Sequence, residues 1–394
     1  MAESFMRSFR HVAAPLRLFH GPDSLDMLRR ELERLDRHRA VIVCGASLGR
    51  EGSPLELVRQ AAGDRCAGVF PGVRAHSPLP DVQQAARELK RLEADAVIAV
   101  GGGSAIVTAR AAGILLAEGQ DARQLCTSRD AQGVLRSPKL LAPKLPQWVV
   151  PTTPTTATVK AGSAVFDPVD GRRLALFDPK TRAQAVFVHP ALFGTPPRAL
   201  VISASMNTLA MAVEGLLSRA GDPISDALLM HAVRLLAQHL PEAAGSDAPE
   251  VRSGLMMASI MCGQGTDHTG AGIAIPLGHA ISARFHIDNG IVNAVVLPHV
   301  IRFNVGAAGA GLEKLALALG VPRQGGGPRA DDVAAAVAAM AGGLGIAGRL
   351  RDVGVTRESL HALAEVSMED WFVRDNPRQV RDAAELRQVL EEAW

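Results

Sequence analysis

Two hydrophobic periods alternate along the first half of the chain, and they predict strands that alternate with helices. Short apolar runs cut off by glycine or polar residues are typical of strands buried on both faces. Segments with apolar residues three and four positions apart are typical of helices packed on one side. The predicted strands are 40–44, 67–70 and 96–100, and the predicted helices are 24–35, 53–62, 81–93 and the segment after Ser104. This alternation indicates a parallel sheet covered on both faces.

The middle of the chain is less regular. Residues 127–146 carry proline, glycine and charges without a period, which predicts a connecting loop. A strand at 148–150 leads into the proline- and threonine-rich residues 151–156. A turn at 167–172 predicts a hairpin that returns through 174–177, and 186–188 is the last predicted strand.

After Pro197 the pattern becomes helical throughout. Asp222 and Pro223 have the residue types of an N-cap and a first helical position. Glycines 325–327 lie between helices and predict a flexible loop. The predicted helices are 199–218, 223–240, 249–262, 270–285, 291–305, 331–341, 358–366 and 382–393. The fold class is therefore α/β followed by all-α, with a Rossmann-like parallel-sheet domain over 1–190 and a helical domain over 191–394.

Composition limits the partners. A chain of 394 residues exceeds what one core usually organises, so we expect two domains, and 47% hydrophobic residues allow a core of ordinary size. The net charge is only +2, and the 42 basic and 40 acidic residues form no basic stripe, which argues against nucleic acid. The sequence contains no run of about 20 uninterrupted apolar residues, so it predicts no membrane span. The cysteines lack CxxC spacing, so we expect neither disulfides nor a thiolate zinc site, but a reduced, cytoplasmic protein.

The glycine run after the strand at 96–100 is the first candidate ligand site. Gly101, Gly102 and Gly103 permit a tight turn and a close approach to a ligand, and the N–H groups at the start of the next helix, from Ser104, favour an anion. A dinucleotide pyrophosphate fits this place, and a tight turn without a ligand is the alternative. Gly45, which ends the first strand, has no carboxylate to repel a 2′-phosphate. NADPH is therefore allowed beside NADH, with Arg50 as a candidate phosphate partner.

The threonine run follows a strand in the same way. Hydroxyl groups of Thr152, Thr153 and Thr156 either bond the oxygens of a ligand or stabilise their own turns. We expect the first role, because the run again follows the carboxyl end of a strand.

Several motifs together resemble the iron-containing (group III) alcohol dehydrogenase family. In order they are Gly101-Gly102-Gly103-Ser104, Pro151-Thr152-Thr153, Ser205-Met206-Asn207, Asn289-Gly290-Ile291-Val292-Asn293-Ala294 with Leu297-Pro298-His299, and Asn376-Pro377-Arg378. The resemblance runs from about Phe19 to the carboxyl terminus. It implies a dehydroquinate synthase-like fold, a dinucleotide-binding domain over 1–190, NAD(P)H as cofactor, a substrate site in the cleft beside the helical domain, and a homodimer.

The metal site of that family is not retained. The family holds a divalent ion with an aspartate and three histidines, and the matching positions here are Asn207, Met211, Ile275 and Asn289. These side chains offer neither an anionic donor nor an imidazole, so we expect no metal. The metal-independent maleylacetate reductase branch resembles this chain in its Met-Asn pair, although it keeps histidines at the positions of Met211 and Asn289.

Two further departures lie on the path that the resemblance implies for the cofactor. Val107 and Arg110 stand where the family has aspartate and lysine. Residues 157–159, Ala-Thr-Val, replace the Gly-Ser-Glu of the family.

Without a metal, a side chain must stabilise the developing oxyanion and another must deliver a proton. His279 matches the family's histidine beside the nicotinamide and is the first candidate proton donor; a histidine hydrogen-bonded between helices is the alternative. Asn207 and Asn289 are candidates for bonding substrate oxygens, whereas Met211 and Ile275 are expected to fill space as core. The other candidates, each with an ordinary surface role as the alternative, are His268, His286, Arg284 and Lys160, the last for an anionic substrate.

The sequence therefore predicts a metal-independent, NAD(P)H-dependent reductase of a small carboxylated carbonyl or enol substrate. Two alternatives remain open. One is a non-redox enzyme that uses the cleft histidines as acid and base, and the other is a catalytically silent protein that binds a nucleotide or another ligand.

Overall fold

Helices and strands alternate in the first half of the chain, and a series of helices follows. The computed structural model describes residues 8–130, 132, 134–322 and 327–394. The strands are β1 (Leu18–His20), β2 (Ala40–Gly45), β3 (Cys66–Val73), β4 (Ala96–Gly101), β5 (Ser128–Arg129), β6 (Leu135–Arg136), β7 (Gln147–Pro151), β8 (Gly162–Asp167), β9 (Arg172–Phe177) and β10 (Ala183–Val188). The helices are α1 (Asp26–Arg34), α2 (Leu55–Ala62), α3 (Leu79–Arg91), α4 (Gly103–Glu118), α5 (Ala122–Leu125), α6 (Pro190–Phe193), α7 (Arg198–Leu217), α8 (Pro223–Ala243), α9 (Pro249–Thr269), α10 (Ala274–Phe285), α11 (Asn289–Asn304), α12 (Gly311–Leu319), α13 (Ala330–Gly343), α14 (Leu360–Ser367) and α15 (Ala383–Ala393).

Six strands form one parallel sheet in the order β1-β10-β7-β4-β2-β3. Alternate side chains enter two apolar clusters, so Val41 and Val97 pack in one cluster while Ile42 and Ile98 pack in the other. The predicted parallel sheet covered on both faces is thereby confirmed. Strand β1 was not predicted, because its three residues are too few to show a period.

The order of the strands reverses around β2. The chain passes from β2 to its neighbour β3 on one side and then returns to pair β4 on the other side. Beyond the carboxyl ends of strands at such a switch point, α/β sheets bind their ligands. Gly45 ends β2, and Gly101 ends β4.

Outside the main sheet, the structure confirms the predicted hairpin and modifies the predicted loop. β8 and β9 pair antiparallel around the turn at 167–172. The segment 127–146 is not a plain loop, because β5 and β6 form a short antiparallel pair within it. Of the predicted glycine loop, Gly325 and Gly326 lie outside the described residues.

The chain divides into two compact units. The sheet unit contains Leu16–Thr208 and Gln238–Gly263. Of the described residues, the helical unit contains 8–15, Leu209–Ala237, 264–322 and 327–394. The roles assigned to residues 1–190 and 191–394 stay predictions.

Most of the predicted helices after Pro197 are present within a few residues of their predicted ends, two have different bounds, and one further helix is present. α9 extends to Thr269 beyond its predicted end at Cys262, and α10 begins only at Ala274. α12 was not predicted. The predicted N-cap of α8 is confirmed, since Asp222 Oδ1 accepts hydrogen bonds from the N–H groups of Ile224 and Ser225 at 2.9 and 3.1 Å.

Helix α7 is long and apolar. Within the described residues, it is the one helix whose length and composition would allow a membrane span, and 78% of its apolar 18-residue segment is buried inside the protein. A buried core helix has the same length and apolar composition.

All four cysteines are free thiols, and burial raises the pKa of Cys44 to about 12.

Candidate functional site

The glycine turn in the sheet unit has almost no space for side chains. Gly101 has a φ of +145°, and a Cβ there would lie 2.8 Å from Cβ of Ala105. A Cβ on Gly102 would lie 2.8 Å from Oγ1 of Thr153, and one on Gly103 would lie 3.2 Å from Oγ1 of Thr155. The turn therefore requires glycine because the threonine run packs directly against it.

The start of α4 presents backbone donors. The carbonyl of Gly102 accepts the N–H groups of Ala105 and Ile106, so the N–H groups of Gly103 and Ser104 precede the first bonds within the helix. An anion is stabilised at such a place by these donors and by the helix dipole. The predicted residues Gly101 to Ser104 are thus arranged as the sequence suggested, at the carboxyl end of β4.

A turn after β3 is fixed to the same helix start. His76 and Ser77 both have positive φ, 64° and 49°. The His76 N–H donates to Oγ of Ser104 at 3.1 Å, and Oγ of Ser77 donates to the Ser104 carbonyl at 3.0 Å. Backbone in this region costs energy for residues other than glycine and is concentrated at functional sites. Apart from the proline that follows it, no residue pattern predicts this turn.

The threonine run begins at the end of β7, next to the glycine turn. The N–H of Thr152 donates to the Gly101 carbonyl at 3.0 Å, and Gly101 pairs with Pro151 in the sheet. Thr152, Thr153 and Thr156 are buried. Carboxyl ends of neighbouring strands therefore bring the two predicted motifs together within the sheet unit.

Arg110 and Lys160 follow these motifs. Arg110 is fully buried, and its guanidinium donates to the carbonyls of Gly162 and Ala157 at 2.6 and 2.7 Å. These hydrogen bonds connect α4 to the segment after the threonine run. Lys160 is half-buried in that segment, whereas Arg50 is exposed.

The positions that match the family's metal ligands do not fit a divalent ion. Asn207 and Met211 lie on α7, Ile275 lies on α10, and Asn289 is the first residue of α11. Met211 and Ile275 are 8% and 3% exposed. Two neutral amides, a thioether and an alkyl chain provide neither the carboxylate nor the imidazole ligands with which the family holds its divalent ion. Among the described residues, no group of three or more His, Cys, Asp and Glu side chains could hold a metal ion.

Asn289 nevertheless carries an orphaned polar atom. Its Oδ1 is buried and has no hydrogen-bond partner within the described part of the chain. A buried acceptor without a partner costs about 1 to 3 kcal/mol. A donor on a bound ligand would satisfy it.

His279 is paired with a carboxylate. On α10, its Nδ1 lies 2.9 Å from Oδ2 of Asp370, which precedes the 3-10 helix Trp371–Asp375. The other carboxylate oxygen accepts the N–H of Phe372 at 3.0 Å. The side chains of His279 and Asp370 are 18% and 12% exposed. This shielding from water strengthens the interaction of the two groups.

Glu214 is a buried carboxyl group on α7. It is 1% exposed and accepts the N–H of Ala274, the first residue of α10, at 2.6 Å. Burial raises the pKa of Glu214 to about 7, against the lowering effect of hydrogen bonds from the backbone of Ala274, Gly272 and Ile275, and nearby Asp370 raises it further. Glu214 therefore fixes the start of the helix that carries Ile275 and His279.

The other candidates in the helical unit are His268, His286 and Arg284, and the structure shows their local contacts. His268 stacks on His11 with ring centroids 3.8 Å apart, and Nδ1 of His11 lies 3.2 Å from Oδ1 of Asp222. His286 is exposed and ends α10 in the left-handed conformation, with φ 56°. Arg284 is exposed over the ring of Phe285.

Sequence reasoning missed Asp370 and Glu214. Asp370 is 91 residues from His279, and no local pattern joins them. Glu214 gave a weak signal, because it is a single charge in the apolar sequence Met-Ala-Val-Glu-Gly-Leu-Leu and lies three residues after Met211. Three residues place two side chains on the same face of a helix.

Models of known families match most of the chain. Residues 15–190 match the model described as iron-containing alcohol dehydrogenase, and residues 201–394 match the model of the C-terminal part of the Fe-containing alcohol dehydrogenase family.

Individual relatives are similar along nearly their whole length. Lactaldehyde reductase of Escherichia coli (strain K12) is 28% identical over 374 residues, which cover 93% of this chain and 95% of the relative. Maleylacetate reductase of Burkholderia cepacia is 25% identical over 390 residues, 99% of this chain and 98% of the relative. The crystal structure of a 1,3-propanediol oxidoreductase matches with a TM-score of 0.87 at 24% identity, over 98% of this chain and 100% of that one.

Proposed function

The chain belongs to the iron-containing alcohol dehydrogenase family and is an oxidoreductase, and from this premise we propose that it reduces a small carboxylated carbonyl or enol compound with NADH or NADPH and without a metal ion. One observation carries the proposal: the positions of the family's metal ligands hold Asn207, Met211, Ile275 and Asn289. Relatives of similar identity differ in substrate, from lactaldehyde to maleylacetate. The proposed substrate class is therefore inferred from the residues of this chain and not from the substrates of its relatives.

The dinucleotide is assigned to the carboxyl ends of β2, β4 and β7. Glycines 101–103 form a cradle that a Cβ would fill, and the N–H groups of Gly103 and Ser104 are suited to the pyrophosphate. Gly45 leaves room for either ribose form, and Thr152, Thr153 and Thr156 supply hydroxyl groups. When bound, the reduced nicotinamide supplies a hydride.

The remaining chemistry is assigned to polar side chains. His279 delivers the proton to the substrate oxygen, a role for which imidazole is suited because it titrates near neutrality. Asn207 and Asn289 hydrogen-bond the substrate where the family uses an ion, and the orphaned Oδ1 of Asn289 is consistent with a ligand donor. Lys160 is the cation proposed for the carboxylate of the substrate.

A metal-stripped enzyme tests this proposal directly. After dialysis against EDTA and 1,10-phenanthroline and elemental analysis, we expect undiminished oxidation of NADH or NADPH with at least one oxo acid from a panel that includes maleylacetate. Lactaldehyde, which has no carboxylate, is the control substrate and should be a poor one. Activity that disappears on stripping and returns with zinc or iron would contradict metal independence.

The same assay separates the alternatives. Binding of NADH or NADPH without turnover of any substrate would favour a silent nucleotide-binding protein. No affinity for either nucleotide would favour a non-redox enzyme or a protein that binds another ligand. Both outcomes would overturn the reductase proposal.

Substituting Gly102 tests the cofactor site. We expect Gly102→Ala to raise the Kd of NADH about tenfold or more, because the new Cβ displaces Thr153 and overpacking of this kind costs about 1 to 3 kcal/mol. Gly113→Ala, later in α4, is the matched control, since a Cβ there meets nothing within 4 Å. Fluorescence titration with NADH measures both variants. Equal affinities of Gly102→Ala and Gly113→Ala for NADH would mean that the glycine turn is not part of the cofactor site.

The assembly and location of the protein belong to the proposal as well. We infer a cytoplasmic homodimer that acts on a small anionic substrate and binds neither nucleic acid nor membrane. Light scattering during size-exclusion chromatography tests the dimer, and a mass of 41.4 kDa would indicate a monomer instead.

A further inference from the structure

We propose that Asp370 is a positioning residue that fixes the tautomer of His279, so that Nδ1 keeps its proton and Nε2 exchanges a proton with the substrate. This inference rests on the proposed reductase function. It assigns the reacting atom of the histidine and a residue, from another part of the chain, that controls it.

The hydrogen bond between the two side chains sets the tautomer. An ionised carboxylate only accepts hydrogen bonds, so Nδ1 of His279, 2.9 Å from Oδ2 of Asp370, must carry a hydrogen. In a neutral imidazole with a proton on Nδ1, Nε2 is the unprotonated nitrogen. When the ring is doubly protonated, the proton on Nε2 is therefore the one that leaves.

Both partners are held in place by their surroundings. Oδ1 of Asp370 accepts the N–H of Phe372 at 3.0 Å and caps the 3-10 helix Trp371–Asp375, which restricts rotation of the carboxylate. On the other side, α10 is fixed at its first residue by Glu214. A histidine and a carboxylate anchored on two rigid elements keep the geometry that a proton transfer needs.

Two carboxyl groups lie near His279 in the helical unit. Asp370 faces it from the 3-10 helix, and Glu214 on α7 is close enough to Asp370 to interact electrostatically. Two neutral side chains also contact α10: Oγ of Ser367 on α14 donates to the Pro276 carbonyl at 3.5 Å, and Asn293 of α11 packs against Gly278. Negative charge at Asp370 stabilises an imidazolium without taking its proton.

The proton transfer balances with these assignments. As negative charge develops on the substrate oxygen, the Nε2–H bond breaks and an O–H bond forms. His279 is left neutral with its remaining proton on Nδ1, and solvent returns a proton to Nε2 before the next turnover.

Asp370→Asn isolates the positioning role. Asparagine is as good an N-cap as aspartate, so the 3-10 helix keeps its cap, while the amide can donate to Nδ1 and so reverse the tautomer. We expect kcat to fall about 100-fold or more, as for wrong-tautomer variants of carboxylate–histidine pairs, with the Kd of NADH unchanged. Nitrogen-15 NMR of labelled histidine should show a proton on Nδ1 of His279 in the wild type and on Nε2 in the variant.

Controls separate the possible failures. Asp382→Asn makes the same change at the N-cap of α15, where Oδ1 accepts the N–H groups of Ala384 and Glu385, and it should leave kcat and the His279 signal unchanged. A variant with the wild-type tautomer, or with a reversed tautomer and normal kcat, would overturn the inference. If no substrate is turned over by the wild type, the reductase proposal fails, and the NMR comparison still decides whether Asp370 sets the tautomer.

Discussion

Replacing His279 with glutamine is expected to lower kcat for carbonyl reduction by about 10²- to 10⁴-fold, the range that a positioned acid contributes. Glutamine retains a hydrogen-bonding amide but cannot carry an exchangeable proton at neutral pH. The Kd of NADH should change little, because the glycine turn and the threonine run belong to the sheet unit and His279 belongs to the helical unit. Stopped-flow measurement of single turnovers and fluorescence titration with NADH report the two quantities separately.

Two other histidines supply the controls. His361→Gln changes an exposed side chain on α14 that pairs with Glu365, and we expect no change in kcat. His268→Gln removes one ring of the stack with His11, so it should lower the melting temperature rather than kcat. If His268→Gln abolished turnover while His279→Gln did not, the proton donor would be the other candidate and the pair with Asp370 would be structural.

An enzyme of this family without a metal must stabilise the oxyanion by hydrogen bonds and a proton alone. Removing a single preorganised donor from such a site costs about 10²- to 10³-fold in kcat. If the enzyme works without an ion, as proposed, more of the rate depends on His279 than in a relative that keeps the ion. The residues at 207, 211, 275 and 289 are the reason that we expect a large effect at His279.

Much of the sheet unit could be predicted because its signals are local. The strand at 96–101 is an apolar run that ends in glycine, and the glycine turn and the threonine run both follow strand ends. Neighbouring parallel strands then bring the motifs together without further information. Strand β1 could not be predicted from such local signals, and its pairing with β10 is known only from the structure.

Helix α9 is longer than the sequence predicts. The predicted end is Cys262, yet the helix continues through Gly263 and Gly265 to Thr269. A Cβ on Gly263 would lie 2.5 Å from Cγ2 of Val159, and one on Gly265 would lie 2.7 Å from Cγ of Leu229. These glycines serve close packing instead of ending the helix, and their packing partners are distant in sequence.

The candidate site of the helical unit could be predicted only in part. His279 could be identified from its likeness to a family motif, but its partner Asp370 could not be identified from the sequence. Hydrogen bonds between distant side chains, such as that of Asp370, follow from tertiary packing and leave no periodic pattern in the sequence. The partner of Glu214 could not be predicted either, because nothing in the local sequence indicates that this glutamate accepts the N–H of Ala274.

Glu214→Gln is expected to change how the stability of the protein depends on pH. The pKa of Glu214 is raised by burial to about 7, so the folded state binds a proton that the unfolded state releases above its ordinary value of 4.5. Its contribution is fully present below about pH 4.5 and is lost as the pH rises through 7. The loss amounts to at most about 3 kcal/mol, from 1.36 kcal/mol for each pKa unit. Urea unfolding at pH 5, 6, 7 and 8 measures it.

The variant should be less stable than the wild type at pH 5 and should gain on it as the pH rises. Glutamine costs a constant amount of about 1 to 3 kcal/mol because its amide group cannot accept every N–H bond that the carboxyl group accepts, but it never ionises. His299, whose pKa burial lowers, contributes a slope of the opposite sign that is common to both proteins. Glu385→Gln is the matched control, because hydrogen bonds from Arg381 lower the pKa of Glu385 to about 2 and its effect is constant from pH 5 to 8. A difference between Glu214→Gln and the wild type that stayed equally constant would mean that Glu214 ionises alike in the folded and unfolded chain.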